Sequence, residues 1–142
     1  MEIRRKGSVG WTGGLRDGKG AISTESGALE HYPYGFATRF EGLKGSNPEE
    51  LLAAAHAACF TMSLTLTLEK AGFKADRLDT SAVVTLTDEG GGFSIPKVAL
   101  SVTGEVPGLD AAQFQELAST AERNCPVSKL FRAEISLESS LG

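Results

Sequence analysis

The stretch Asn47-Pro48-Glu49-Glu50-Leu51-Leu52-Ala53-Ala54-Ala55-His56-Ala57-Ala58-Cys59-Phe60-Thr61-Met62-Ser63-Leu64-Thr65-Leu66-Thr67-Leu68-Glu69-Lys70-Ala71-Gly72 decides how the rest of the chain is read. Asn is a favoured N-cap, Pro suits the first helical position, and Glu50 stands three residues after the cap, as a capping box requires. The pattern predicts a helix over 48–70, about six turns long, with Gly72 placed to end it. From Leu51 to Leu68 there is no Asp, Glu, Lys or Arg. That length approaches the ~20 residues needed to cross a bilayer. Ser, Thr and His56 interrupt it, alanine dilutes it, and no aromatic belt or basic flank accompanies it, so a membrane span is not expected. A helix apolar on all sides is otherwise buried on most of them, which a chain of 142 residues achieves with help from a second subunit. A homodimer is therefore expected.

Before this helix, glycines punctuate short runs such as residues 20–25 and 35–40, which read as strands joined by turns. After it, residues 79–87 alternate and are rich in β-branched side chains. Gly90-Gly91-Gly92 supplies a hairpin turn, and residues 93–106 return as a strand, with Pro96 marking an edge or bulge near its start. Asp110 and Gln113 resemble another capping box, followed by Phe114, Leu117, Ala118 and Ala121 on one helical face. That helix should end before Pro126, and residues 133–139 form a last strand. The order predicts an α+β fold in a single domain covering 1–142.

Charge narrows the function. Lys and Arg number 14 against 18 Asp and Glu, a net charge of −4 with both signs interspersed. There is no basic face for a phosphate backbone, so nucleic acid is not an expected partner. Positive charge at Arg4, Arg5 and Lys6 is not followed by an apolar run, so a cytoplasmic location is expected. In a reducing compartment two cysteines are more often transient and catalytic than structural.

Cys59 lies within the apolar helix, where burial would raise its pKa and leave it an inert hydrophobe unless a cation, most naturally an arginine, stands beside it. Cys125 precedes Pro126, a position that would cap a short following turn whose free amides ease thiolate formation. His56, three residues before Cys59, reads as a packed or hydrogen-bonded core histidine more readily than as a base. Two histidines and two scattered cysteines lack the pairing of a zinc site, so no metal is expected. Gly18-x-Gly20 leads into strand-like residues and gives little support to a phosphate loop. A hydrolase using Ser128 or Ser63 with His56 lacks a Gly-x-Ser-x-Gly elbow. A non-catalytic binding or structural module with an inert cysteine pair is the alternative to a redox enzyme.

Several segments occur in an informative order: Ser23-Thr24-Glu25-Ser26-Gly27, Pro33-Tyr34-Gly35-Phe36, Arg39-Phe40-Glu41-Gly42, Asn47-Pro48-Glu49-Glu50-Leu51, Ala55-His56-Ala57-Ala58-Cys59 and Cys125-Pro126-Val127-Ser128. Together they resemble the OsmC family, osmotically inducible protein C, over essentially the whole chain. The resemblance implies antiparallel sheets around a long central buried helix and a second helix, in an intertwined homodimer with active sites at the interface. It implies a thiol-dependent peroxidase reducing organic hydroperoxides in oxidative or osmotic stress, with no cofactor but an external dithiol of lipoyl or thioredoxin type. By the same resemblance Cys59 is the peroxidatic thiol, Cys125 the resolving thiol, Arg39 the support of the thiolate and Glu49 the group that orients Arg39. Arg16, in an Arg16-Asp17-Gly18 turn like that of the sister group of organic hydroperoxide resistance proteins, is the rival to Arg39. Ten residues of one straight helix separate Glu49 from Cys59 by ~15 Å along the axis. Arg39 must therefore bridge part of that gap, or the arginine and glutamate serve the cysteine of a partner subunit.

Overall fold

In the computed structural model, which describes residues 1–142, the chain forms two units, Met1–Leu51 and Leu52–Gly142, each with its own three-stranded sheet. In the first, β1 (Gly7–Thr12), β2 (Lys19–Thr24) and β3 (Tyr32–Tyr34) pair antiparallel in that order. The turn between β1 and β2 is tied by the Asp17 carboxylate, which accepts from the Gly14 N–H at 2.9 Å. Gly20 has a packing role: a Cβ there would run into the rings of Tyr34 and Trp11. Its absence lets those two rings meet edge to face, with centroids 5.5 Å apart.

Residues 35–40, expected as a strand, instead contain α1 (Phe36–Phe40), a single helical turn. The Thr38 hydroxyl accepts from the Gly35 N–H and donates to the Gly35 carbonyl, both at 3.0 Å, which closes the turn from inside. Phe36 and Phe40, four apart, bring their ring centroids within 5.0 Å. Alternation of Phe36, Thr38 and Phe40 suited a strand equally well, and this local hydrogen bonding decided the outcome.

The long helix is present as α2 (Pro48–Lys70). Its N-cap Asn47 accepts from the Glu50 N–H at 2.8 Å. Its end carries the paired bonds of a Schellman motif, Phe73 N–H to the Leu68 carbonyl at 2.9 Å and Gly72 N–H to the Glu69 carbonyl at 3.0 Å. Gly72 takes φ +90°, as predicted for the stop.

The second unit's sheet has the order β4 (Arg77–Asp88), β5 (Phe93–Glu105), β6 (Glu134–Leu141). β4 and β5 form the expected hairpin, with a register shift where Thr85 faces Lys97 but Thr87 faces Ser94. The extra residue falls on β5 beside Pro96, which has no N–H to give the ladder. β6 pairs parallel to β5, from Lys97 opposite Glu134 to Gly104 opposite Leu141. This corrects the expectation of purely antiparallel sheets. A parallel return needs a crossover, and α3 (Ala111–Asn124) with α4 (Pro126–Leu130) provides it.

The core of this unit joins Phe60, Leu64 and Leu68, one i, i+4 stripe of α2, to Leu100 and Val102 of the sheet and Phe114, Ala118 and Ala121 of α3. A Cβ at Gly104 would lie 2.7 Å from the Phe114 ring, so this glycine admits α3 close to the sheet. Burial of α2 on most sides was expected only with a second subunit, and within the single chain Met62 is 76% and Leu66 52% exposed on its other side. α2 is long and apolar enough to cross a membrane, and its buried stripe is the core of this unit.

Candidate active site

The two cysteines reach one another because each lies at a particular point of a helix. Cys59 immediately precedes Phe60 of the buried stripe, so its thiol lies at the margin of the core and is half-buried. Cys125 stands between α3 and α4. Pro126 disfavours helical backbone in the residue before it, and Cys125 accordingly turns extended, at φ −65° and ψ 119°. α4 restarts with Pro126 in its first turn. The break turns Cys125 wholly into the core, at 0% exposure. Both thiols are free, and that of Cys125 is within hydrogen-bonding reach of Cys59.

The surroundings of Cys59 pull in opposite directions. Burial is the largest influence and raises its pKa above the ordinary 9.0, the Val127 backbone N–H donates to the sulfur and lowers it, and the neighbouring Cys125 thiol raises it again. None of these influences is a cation. Within the chain, Cys59 is therefore mostly protonated at neutral pH. The sequence reading assigned the amides of the turn after Cys125 to Cys125 itself. The structure aims one of them, from Val127, at Cys59.

Arg39 and Glu49 meet within the first unit. Arg39 lies in the last turn of α1 and Glu49 in the first turn of α2. Arg39 Nη2 donates to Glu49 Oε1 at 2.7 Å, and Arg39 Nε to Oε1 at 3.0 Å and Oε2 at 3.3 Å. Two donors of one guanidinium on one carboxylate fix the plane as well as the position of the arginine. Glu49 is 9% exposed, while Arg39 is exposed, with its side chain 36% accessible, and keeps part of its fork open. Arg16 instead lies over the Phe36 ring, 4.4 Å from its centroid, and forms no ion pair.

The His56 and Ser128 side chains, separated by 72 residues in sequence, meet at 2.7 Å between Nε2 and Oγ. His56 is fully buried, its Nδ1 has no partner, and its ring packs edge-on against Phe131 at 5.3 Å. Burial lowers its pKa below 6.5, so the imidazole is neutral at pH 7. Ser128 is only 7% exposed. A serine and histidine this enclosed offer no approach to a substrate, which removes the hydrolase reading. Sequence reasoning considered both residues without foreseeing this bond. The signal was their matched offset, three residues before Cys59 and three after Cys125.

Cys59 opens on a groove of about 1140 Å³ whose lining includes Ala58, Met62, Leu66, Leu117, Pro126 and Lys129. Among the apolar side chains, Met62 lines this groove. Phe60 is fully buried in the core, and Tyr34 and Phe36 belong to the first unit.

Residues 41–140 match the family model described as OsmC-like protein. The chain is 51% identical over 141 residues to Peroxiredoxin OsmC of Escherichia coli (strain K12), covering 99% of each chain. It is 31% identical over 123 residues to Organic hydroperoxide resistance protein OhrB of Bacillus subtilis (strain 168), covering 86% of this chain and 88% of that one. The crystal structure of OhrB of Bacillus subtilis superposes with a TM-score of 0.71 at 32% identity, covering 96% of this chain and 98% of that chain.

Proposed function

The chain belongs to the OsmC-like protein family, and from that premise we propose that it is a cysteine-based peroxidase that reduces hydroperoxides, organic ones above all, to alcohols. The observation that carries this reading is the pair of free thiols, Cys59 and Cys125, within reach of one another where a backbone N–H points at the Cys59 sulfur. The Cys59 thiolate attacks the distal oxygen of the hydroperoxide. The O–O bond breaks, the alkoxide takes up a proton and leaves as alcohol, and Cys59 becomes a sulfenic acid. The Cys125 sulfur then attacks the Cys59 sulfur, hydroxide leaves with the Cys125 proton as water, and a Cys59–Cys125 disulfide forms. An external dithiol, of lipoyl or thioredoxin type, returns both thiols and is itself oxidised. No cofactor is required.

A buried thiol without a cation would be a poor nucleophile. Arg39, oriented by Glu49, supplies the charge in a homodimer, stabilising the thiolate and presenting the rest of its fork to the peroxide oxygens. The apolar groove at Cys59 favours an organic substrate over hydrogen peroxide. The protein acts as one OsmC-like domain in the cytoplasm, in the response to oxidative or osmotic stress. Turnover of cumene hydroperoxide with each dithiol tests the reading. Cys59→Ser should abolish it, and Cys125→Ser should leave Cys59 oxidisable but block the disulfide. Full peroxidase activity in Cys59→Ser would refute the assignment.

A further inference from the structure

Besides the part-buried bond from the Ser63 hydroxyl to the Ala121 carbonyl at 2.8 Å, the segments that bring the thiols together share a fully buried polar contact, His56–Ser128, whose placement mirrors theirs. α2 carries His56 and, three residues later, Cys59, while the α3–α4 junction supplies Cys125 and, three residues later, Ser128. Positions three apart on a helix are neighbours on its surface, with Cβ atoms about 5–6 Å apart. The His56–Ser128 bond and the Cys59–Cys125 approach are therefore two adjacent contacts between the same two segments. The core cluster that holds Cys125, and against which Cys59 packs, is otherwise apolar, with Phe60, Leu64, Ala121 and Val127 in or against it. Apolar packing holds two helices together but is weakly directional. A 2.7 Å hydrogen bond fixes where one helix end lies along the other.

The bond is also costly to keep, because His56 is buried with Nδ1 unpartnered. An apolar pair of the same volume would avoid that cost. The unpaired nitrogen makes Ser128 the one hydrogen-bonding partner of the imidazole, so the ring has no second bond to compensate if Ser128 moves.

We propose that His56 and Ser128 form a positioning clasp that holds α4 against α2 so that Cys125 can close on an oxidised Cys59. This rests on the peroxidase reading and names the residues that govern its second step. In that step the Cys125 sulfur must come in line behind the Cys59–oxygen bond, form the S–S bond and release hydroxide, which leaves as water with the Cys125 proton. A misplacement of about 1 Å in such a displacement costs on the order of 100-fold in rate. The clasp touches no reacting atom and acts only through the placement of Cys125.

Rapid-mixing oxidation by one equivalent of cumene hydroperoxide tests this, with peroxide loss following the first step and disulfide formation the second. Ser128→Ala should consume peroxide within about threefold of the wild-type rate, form the disulfide at least tenfold more slowly, and accumulate a sulfenic acid trapped by dimedone. Ser128→Thr, which keeps a hydroxyl, should restore disulfide formation. The double variant His56→Leu/Ser128→Ala leaves no polar side chain unpaired at the clasp, so it should keep the fold even if Ser128→Ala alone does not. It should show the same slow second step. Wild-type rates of disulfide formation in the single or double variant would overturn the clasp, as would an equal loss in both steps that Ser128→Thr fails to rescue. A wild-type protein that takes up no peroxide oxygen at Cys59 would instead remove the peroxidase reading, and with it the step the clasp serves.

Discussion

Cys59 is surrounded by influences that favour its protonated form, with the Val127 N–H as the one exception. In the proposed reading an arginine supplies the missing charge; Arg39 is held by two hydrogen-bond donors on Glu49, while Arg16 lies against an aromatic ring. Arg39→Ala should lower kcat/KM for cumene hydroperoxide by about 100-fold or more, the scale of losing one preorganised charge donor. It should also move the pH profile of Cys59 alkylation to higher pH, since losing a nearby cation disfavours the thiolate. Arg16→Ala should change neither by more than about twofold, and the reverse pattern would transfer the role to Arg16. At this scale the sequence was only partly legible. Position alone made Cys59 look inert, and the burial that raises its pKa agrees with that reading. The Val127 amide could not be foreseen, because its direction depends on how α4 packs on α2, a tertiary fact with no trace in local residue preference.

Elements whose ends carry their own signals were the most legible. Asn47, Pro48 and Gly72 bounded α2 where the structure bounds it, and Asp110 with Gln113 opened α3 through a reciprocal capping box. Because Gly72 sits at φ +90° with open space around it, Gly72→Ala would add backbone strain without a clash. The strain is about 1 kcal/mol, which should lower the thermal unfolding midpoint by a few degrees. An unchanged midpoint would contradict this account of the helix stop. Two elements were less legible. Residues 35–40 alternate like a strand, and a Thr38–Gly35 hydrogen bond made them a helical turn. The direction of β6 cannot be read from its own alternation, since Ile135 and Leu137 would face the core in either sense. The crossover length supplied by α3 and α4 decides it.

For the whole molecule, the informative feature is what the single chain leaves uncovered. Charged residues are absent from Leu51 to Leu68, yet only the stripe of His56, Phe60, Leu64 and Leu68 is deeply buried, while Met62 and Leu66 face outward. An exposed apolar face of this kind marks an interaction site, and it is the face that a second copy would cover in the proposed homodimer. Light scattering should therefore give twice 14.9 kDa at micromolar concentration, and a monomer would contradict the dimer. The central claim is that Cys59 and Cys125 are a working pair. Thiol titration before and after one equivalent of cumene hydroperoxide tests it most directly. Both thiols should disappear rapidly, a peptide digest should join Cys59 to Cys125, and a dithiol should restore both. Two thiols still titratable after the peroxide is added would contradict it.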